Sequence, residues 1–128
     1  MPPKILIVDD EQDVRDMLGN NLPKHFACET ILAADGYEAI RLFDKHKIDL
    51  ILLDMRMPGI NGSEVIKEIR KKNTTVPIFV VSAWEGGPVE EHIKEIGGNG
   101  YIPKPVSLSM IRAKVEDELK KMGKYVAK

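Results

Sequence analysis

The chain has 128 residues, with 20 Asp and Glu against 19 Lys and Arg, a formal net charge of −1. Its 43% hydrophobic and 30% charged fractions exclude a disordered or low-complexity chain, and the length favours a single domain around one core. The near-neutral balance argues against a dedicated nucleic-acid binder, which needs a basic face for phosphates, and the lone Cys28 excludes an intramolecular disulfide.

The start, Met1-Pro2-Pro3-Lys4, lacks the apolar stretch of a signal peptide, and no apolar run approaches the ~20 residues that cross a bilayer. A cytoplasmic domain without membrane contact is therefore expected. The first apolar run, Lys4–Asp9, reads as a strand, and Val14, Met17, Leu18 and Leu22 then line one face of a helix. Gly19 weakens that helix by about 1 kcal/mol relative to Ala. A second strand is expected over Ala27–Leu32. Asp35 follows as an N-cap with Glu38 three residues later, leading into a helix that carries Ile40 and Phe43. The third strand spans Asp49–Asp54. The turn residues Pro58, Gly59, Asn61 and Gly62 separate it from a helix bearing Val65, Ile66 and Ile69. Val76–Ser82 reads as the fourth strand. Pro88 opens a fourth helix that Gly97-Gly98 closes. After a fifth strand at Asn99–Ile102, Ser107 opens a helix striped by Leu108, Ile111, Val115, Leu119 and Met122.

Three of the strands (ILIV, LILL, IFVV) are continuously apolar, as strands covered on both faces are. Five βα units in this length predict an α/β fold: a doubly wound five-stranded parallel sheet of order 2-1-3-4-5 with five helices. A β/α barrel needs roughly twice as many residues. The domain is expected over residues 1–122, with 123–128 a short tail.

Open parallel sheets bind ligands beyond the carboxyl ends of their strands, where the strand order reverses. There the first strand offers Asp9-Asp10-Glu11, the third Asp54, the fourth Ser82, and the fifth runs into Lys104-Pro105. Strands one and three are neighbours in this order, and two carboxylates ~5 Å apart repel by about 3 kcal/mol at an effective dielectric near 20. A positive group is needed: Lys104, or a hard divalent cation, for which magnesium suits the all-oxygen donors. Singly, each residue has an ordinary reading: Asp10 as a helix cap, Ser82 as a turn residue, Lys104 as a solvated cation. An acidic pair, an acid, a hydroxyl and a lysine gathered at one switch point favour chemistry instead. The set suits phosphoryl transfer to a carboxylate, with Asp54 as nucleophile and catalysis by positioning and charge.

The sequence closely resembles the response-regulator receiver domain of two-component signalling systems, from about Lys4 to Met122. The resemblance is carried by ILIVDDE at Ile5–Glu11, LILLDMRMPGINGSE at Leu50–Glu64, VVSA at Val80–Ala83 and GYIPKP at Gly100–Pro105. It implies that Asp54 accepts a phosphoryl group from the phosphohistidine of a sensor histidine kinase or phosphotransfer protein. It implies Mg²⁺ (Mn²⁺ as the substitute) held by Asp10 directly, Asp9 through water, Asp54 and the backbone carbonyl of Arg56. Lys104 would bind a phosphoryl oxygen, and the Lys104-Pro105 bond would be cis. Ser82 and Tyr101 would form the switch pair, although an aromatic in an edge strand is commonly just packing. Arg56 and Trp84 occupy positions that flank the acceptor and tune dephosphorylation. A phosphorylated domain would show its state to a downstream protein target or output domain on the face from Pro88 to Met122, as a monomer or a phosphorylation-dependent dimer.

Three other readings fit less well. A haloacid-dehalogenase-type phosphatase needs a second acid two residues after the first, where this chain has Arg56. A flavin carrier on the same fold needs a hydroxyl- and glycine-rich loop where this chain has Asp9-Asp10-Glu11. A phosphorylation-independent adaptor would be expected to have lost at least one member of the acidic, serine and lysine set.

Overall fold

The computed structural model describes residues 2–83 and 89–128. Five βα units follow one another: β1 (Lys4–Val8), α1 (Gln12–His25), β2 (Glu29–Ala33), α2 (Gly36–Lys45), β3 (Leu50–Leu53), α3 (Gly62–Lys72), β4 (Ile78–Ser82), α4 (Val89–Glu95), β5 (Gly100–Pro103) and α5 (Leu108–Lys121). All four strand pairings are parallel and the sheet order is β2-β1-β3-β4-β5, as expected.

The continuously apolar strands feed two cores. In β1, Ile5 and Ile7 face a layer completed by Leu18 and Leu22 of α1 and by Ile111, Val115 and Leu119 of α5. Leu6 and Val8 face the opposite layer, with Val65, Ile66 and Ile69 of α3, Ala39 of α2 and Ile93 of α4. β3 and β4 alternate in the same way, Leu50 and Leu52 to one side and Ile51 and Leu53 to the other. Side chains along a strand point to opposite faces, and helices on both faces bury both sets, so the central strands are apolar from Ile5 to Val8 and from Leu50 to Leu53.

Helix ends follow local chemistry. The Asp35 side chain accepts from Glu38 N–H at 2.8 Å, as predicted, while the Glu38 carboxylate takes the N–H of Ala34. A reciprocal capping box that the sequence reading passed over joins Asn61 and Glu64 at the head of α3. Ser107 caps α5. Pro88 lies outside the described residues. Gly97 terminates α4 in the left-handed region (φ 103), where a side chain is strained. Its carbonyl accepts from Arg70 Nε at 2.9 Å.

Two segments differ from expectation. β2 is paired only from Glu29, because Phe26 and Ala27 are engaged elsewhere: Ala27 N–H donates to Val126 at 2.9 Å and Lys128 N–H to His25 at 3.0 Å. Residues 123–128 thus fold back as an antiparallel bridge, with Tyr125 edge-on to Phe26 and Lys124 paired with Asp49. Helix α1 also runs through Pro23. Proline has no N–H to offer the Gly19 carbonyl, and the Thr30 hydroxyl supplies the missing bond at 3.1 Å. Gly19 itself gives room to Leu32, whose Cδ2 would lie 3.1 Å from an added Cβ.

Candidate functional site

The register places the acids. β1 and β3 pair with Val8 opposite Leu53, and Asp54 N–H donates to the Val8 carbonyl at 2.8 Å. The residues that follow, Asp9 and Asp54, therefore leave the sheet side by side. Both are buried, 2% and 4% exposed, whereas Asp10 is open to solvent. Carboxylate oxygens of Asp9, Asp10 and Asp54 all lie within 4.8 Å of one another. The ordinary alternative for Asp10, a helix cap, is not what the backbone shows, since Glu11 occupies the N-cap of α1.

The positive charge that such crowding demands is Lys104. Its ammonium lies 2.9 Å from Asp9 Oδ2, 3.4 Å from Asp54 Oδ2 and 3.2 Å from Glu11 Oε1. It is delivered there by the turn after β5, whose Lys104-Pro105 peptide is cis. Backbone donors complete the frame: Glu11 N–H to Asp9 Oδ1 at 2.9 Å and Arg56 N–H to Asp54 Oδ1 at 3.3 Å. The Arg15 guanidinium donates to the Asp9 carbonyl at 2.8 Å.

Titration follows from this geometry. Burial, then the neighbouring Asp9 charge, push the Asp54 carboxyl above the ordinary aspartate value, against the pull of Lys104 and the Arg56 N–H. For Lys104, burial acts to lower the ammonium's value. The hydrogen bond to Asp9 and the charges of Asp54 and Asp9 outweigh it and raise the value well above the usual lysine range.

Ser82 is buried at the end of β4, its hydroxyl aimed weakly at the Ala83 carbonyl (3.4 Å). The Ser82 carbonyl accepts twice, from Tyr101 Oη at 2.9 Å and from Lys104 N–H at 3.1 Å. One peptide unit therefore links the hydroxyl, the half-buried aromatic and the lysine. Arg56 is exposed at the start of the β3–α3 loop. Trp84 lies outside the described residues. A glycine fixes that loop's shape: a Cβ on Gly62 would stand 2.5 Å from Met55 Sδ and 2.8 Å from Met55 Cα.

The family model for the response regulator receiver domain matches residues 5–116. This chain belongs to that family. Among curated relatives, it is 36% identical to the transcriptional regulatory protein YxdJ of Bacillus subtilis, over 98% of this chain and 54% of that protein. Among solved structures, a two-component response regulator from Clostridium difficile is 30% identical, with a TM-score of 0.86 over 94% of this chain and 98% of the other. The chemotaxis protein CheY4 of Vibrio cholerae is 28% identical, with a TM-score of 0.85 over 93% of this chain and 100% of the other. The receiver thus has the fold and family of two-component response regulators, and it spans about half the length of YxdJ. Among the described residues no helix is long and apolar enough to cross a membrane.

Sequence reasoning set Asp9, Asp10, Asp54, Ser82 and Lys104 at strand ends around one switch point and took Tyr101 from the resemblance. The structure brings Asp9, Asp10, Asp54 and Lys104 together and joins Ser82 and Tyr101 to Lys104 through the Ser82 carbonyl. It passed over Glu11, which it saw only as a third acid in a run. The available signal was a glutamate at an N-cap, a position that Ser, Thr, Asp and Asn occupy by preference.

Proposed function

We propose that this receiver accepts a phosphoryl group on Asp54 from the phosphohistidine of a sensor kinase or phosphotransfer protein in a Mg²⁺-dependent reaction. The observation that carries the reading is the Lys104 ammonium bridging two buried carboxylates, Asp9 and Asp54, at adjacent strand ends. The all-oxygen donor set of Asp9, Asp10 and Asp54 suits a hard divalent cation, Mg²⁺ or in its place Mn²⁺, with the Arg56 carbonyl as a further ligand. When bound, such a cation neutralises charge on phosphoryl oxygens.

The chain's own residues do the rest. A carboxylate oxygen of Asp54 bonds to phosphorus as the P–N bond of the donor breaks, its electron pair staying on the imidazole nitrogen. Lys104 counters the charge of the transferring oxygens, and its ion pair opposes the burial that favours the neutral form of Asp54. Among the described residues the Ser82 hydroxyl finds the Ala83 carbonyl at 3.4 Å, a long contact, so a phosphoryl oxygen on Asp54 offers it a better partner. Movement of Ser82 towards that oxygen carries its carbonyl along, and Tyr101 with it. The phosphoryl group adds roughly −1.5 to −2 charges and three acceptor oxygens, enough to shift a two-state equilibrium at this link. The face formed by α4, β5 and α5 then changes for a downstream protein or output domain. A cytoplasmic location fits this partnership.

Intact mass after incubation with Mg²⁺ and acetyl phosphate tests the reading. One added phosphoryl group is expected on the wild type, none without the metal and none on Asp54→Asn. An adduct that persists in Asp54→Asn sinks Asp54 as acceptor. No adduct under any condition favours a phosphorylation-independent adaptor.

A further inference from the structure

Glu11 stands in an unusual place for its side chain. It is the N-cap of α1, yet its carboxylate makes no capping bond to the first turn of the helix. A capping side chain stabilises a helix by about 1 kcal/mol, and Asp, Asn or Ser here would provide one. The Glu11 carboxylate instead crosses to Lys104, 93 residues further along the chain.

An ammonium has three N–H donors and no acceptor. Among the described residues of this receiver three carboxylates stand around Lys104: Asp9, Asp54 and Glu11. They differ in what they can give up. Asp9 is buried, with its other oxygen held by the Glu11 N–H. Asp54 is buried and is the group that would receive phosphorus. Glu11 is 62% exposed, so water can replace its contact at small cost. Carboxylate oxygens of Asp9, Asp10 and Asp54 lie within 4.8 Å of one another, and Glu11 adds a fourth carboxylate beside Lys104.

We propose that Glu11 is a positioning residue that holds Lys104 in the unphosphorylated receiver and competes with the incoming phosphoryl group for it. The inference rests on Asp54 being the phosphoacceptor. Phosphoryl transfer places new oxygen acceptors on Asp54, and the N–H that serves them is the one released by Glu11. The Glu11–Lys104 pair thereby restrains phosphorylation, and its removal speeds it.

The test compares wild type, Glu11→Gln and Glu11→Asp at saturating Mg²⁺. Gln removes the charge. Asp keeps the charge but is one methylene too short for the contact, so it separates local hold from long-range repulsion. Phosphorylation by acetyl phosphate, followed by intact mass, is expected to be about two- to fivefold faster in both variants, the range of a partly exposed ion pair. The acceleration should shrink as salt is raised. Independently of any phosphodonor, the Lys104 ammonium resonance should shift in both variants, and its protons should exchange faster with water. Unchanged rates, or an unchanged Lys104 resonance, overturn the proposal. So does a Glu11→Gln acceleration that Glu11→Asp lacks, because repulsion alone would then explain it. An adduct on the wild type with unaltered variants sinks this inference and leaves Asp54 as acceptor. No adduct on any chain sinks both.

Discussion

Replacing Lys104 by Met removes the counter-charge of a buried acidic pair and keeps most of the side-chain volume. Lys104 Nζ lies 2.9 Å from Asp9 and 3.4 Å from Asp54, attractions of about 6 and about 5 kcal/mol at an effective dielectric near 20, before desolvation. With carboxylate oxygens of Asp9 and Asp54 within 4.8 Å, their mutual repulsion on the same scale is at least about 3 kcal/mol. Burial of the ammonium offsets much of the attraction. Removing one partner of a buried charge cluster typically costs about 3–5 kcal/mol. Because Asp54 can relieve the crowding by taking up a proton, the low end applies: about 3 kcal/mol, or roughly 10 °C in Tm for a chain of this size.

The assay is urea unfolding followed by circular dichroism, with chelator present, at neutral and mildly acidic pH. The deficit of Lys104→Met should be largest at neutral pH and should narrow as Asp54 protonates. Added Mg²⁺ should restore part of it. Lys104→Met combined with Asp54→Asn should recover about 2 kcal/mol, the strong non-additivity of groups in one network. A loss below about 1 kcal/mol, or the same loss at both pH values and in the double variant, would refute the electrostatic account.

Three further outcomes follow from individual contacts. Thr30→Val should cost about 1 kcal/mol by orphaning the Gly19 carbonyl, and only a few tenths in a Pro23→Ala background, where a backbone N–H serves it again; equal costs in both backgrounds would dismiss the exchange. Gly62→Ala should destabilise by about 2 kcal/mol, because the new methyl meets the Met55 main chain, and should slow acetyl-phosphate labelling about tenfold by displacing Asp54. Unfolding curves and intact mass check these two effects separately. At Asp49 burial acts upward on the carboxyl, but the Lys124 ammonium and the Lys4 N–H outweigh it and hold it below its ordinary value. That stabilisation is complete at neutral pH and is lost as pH falls below the ordinary aspartate value of about 3.9. Stability-versus-pH curves of wild type and Asp49→Asn should therefore converge in acid, and parallel curves would exclude the contribution.

The sequence by itself determined the alternation of strands and helices, the parallel sheet and the edge at which the polar residues gather. The physical reason is that these are set by local or nearly local features. Continuous apolar runs such as ILIV and LILL suit only strands covered on both faces; Asp54 directly follows LILL, and Lys104 directly follows the fifth strand. Tertiary structure alone decided what is measured between residues distant along the chain. That Thr30 repairs the break made by Pro23, and that residues 123–128 close back onto Phe26 and delay the start of β2, depend on contacts no periodicity encodes. Glu11 is the clearest instance. Its acidity was visible in the run Asp9-Asp10-Glu11, but its partner lies across the sheet, and only the folding of β5 beside β4 brings Lys104 within 3.2 Å of it.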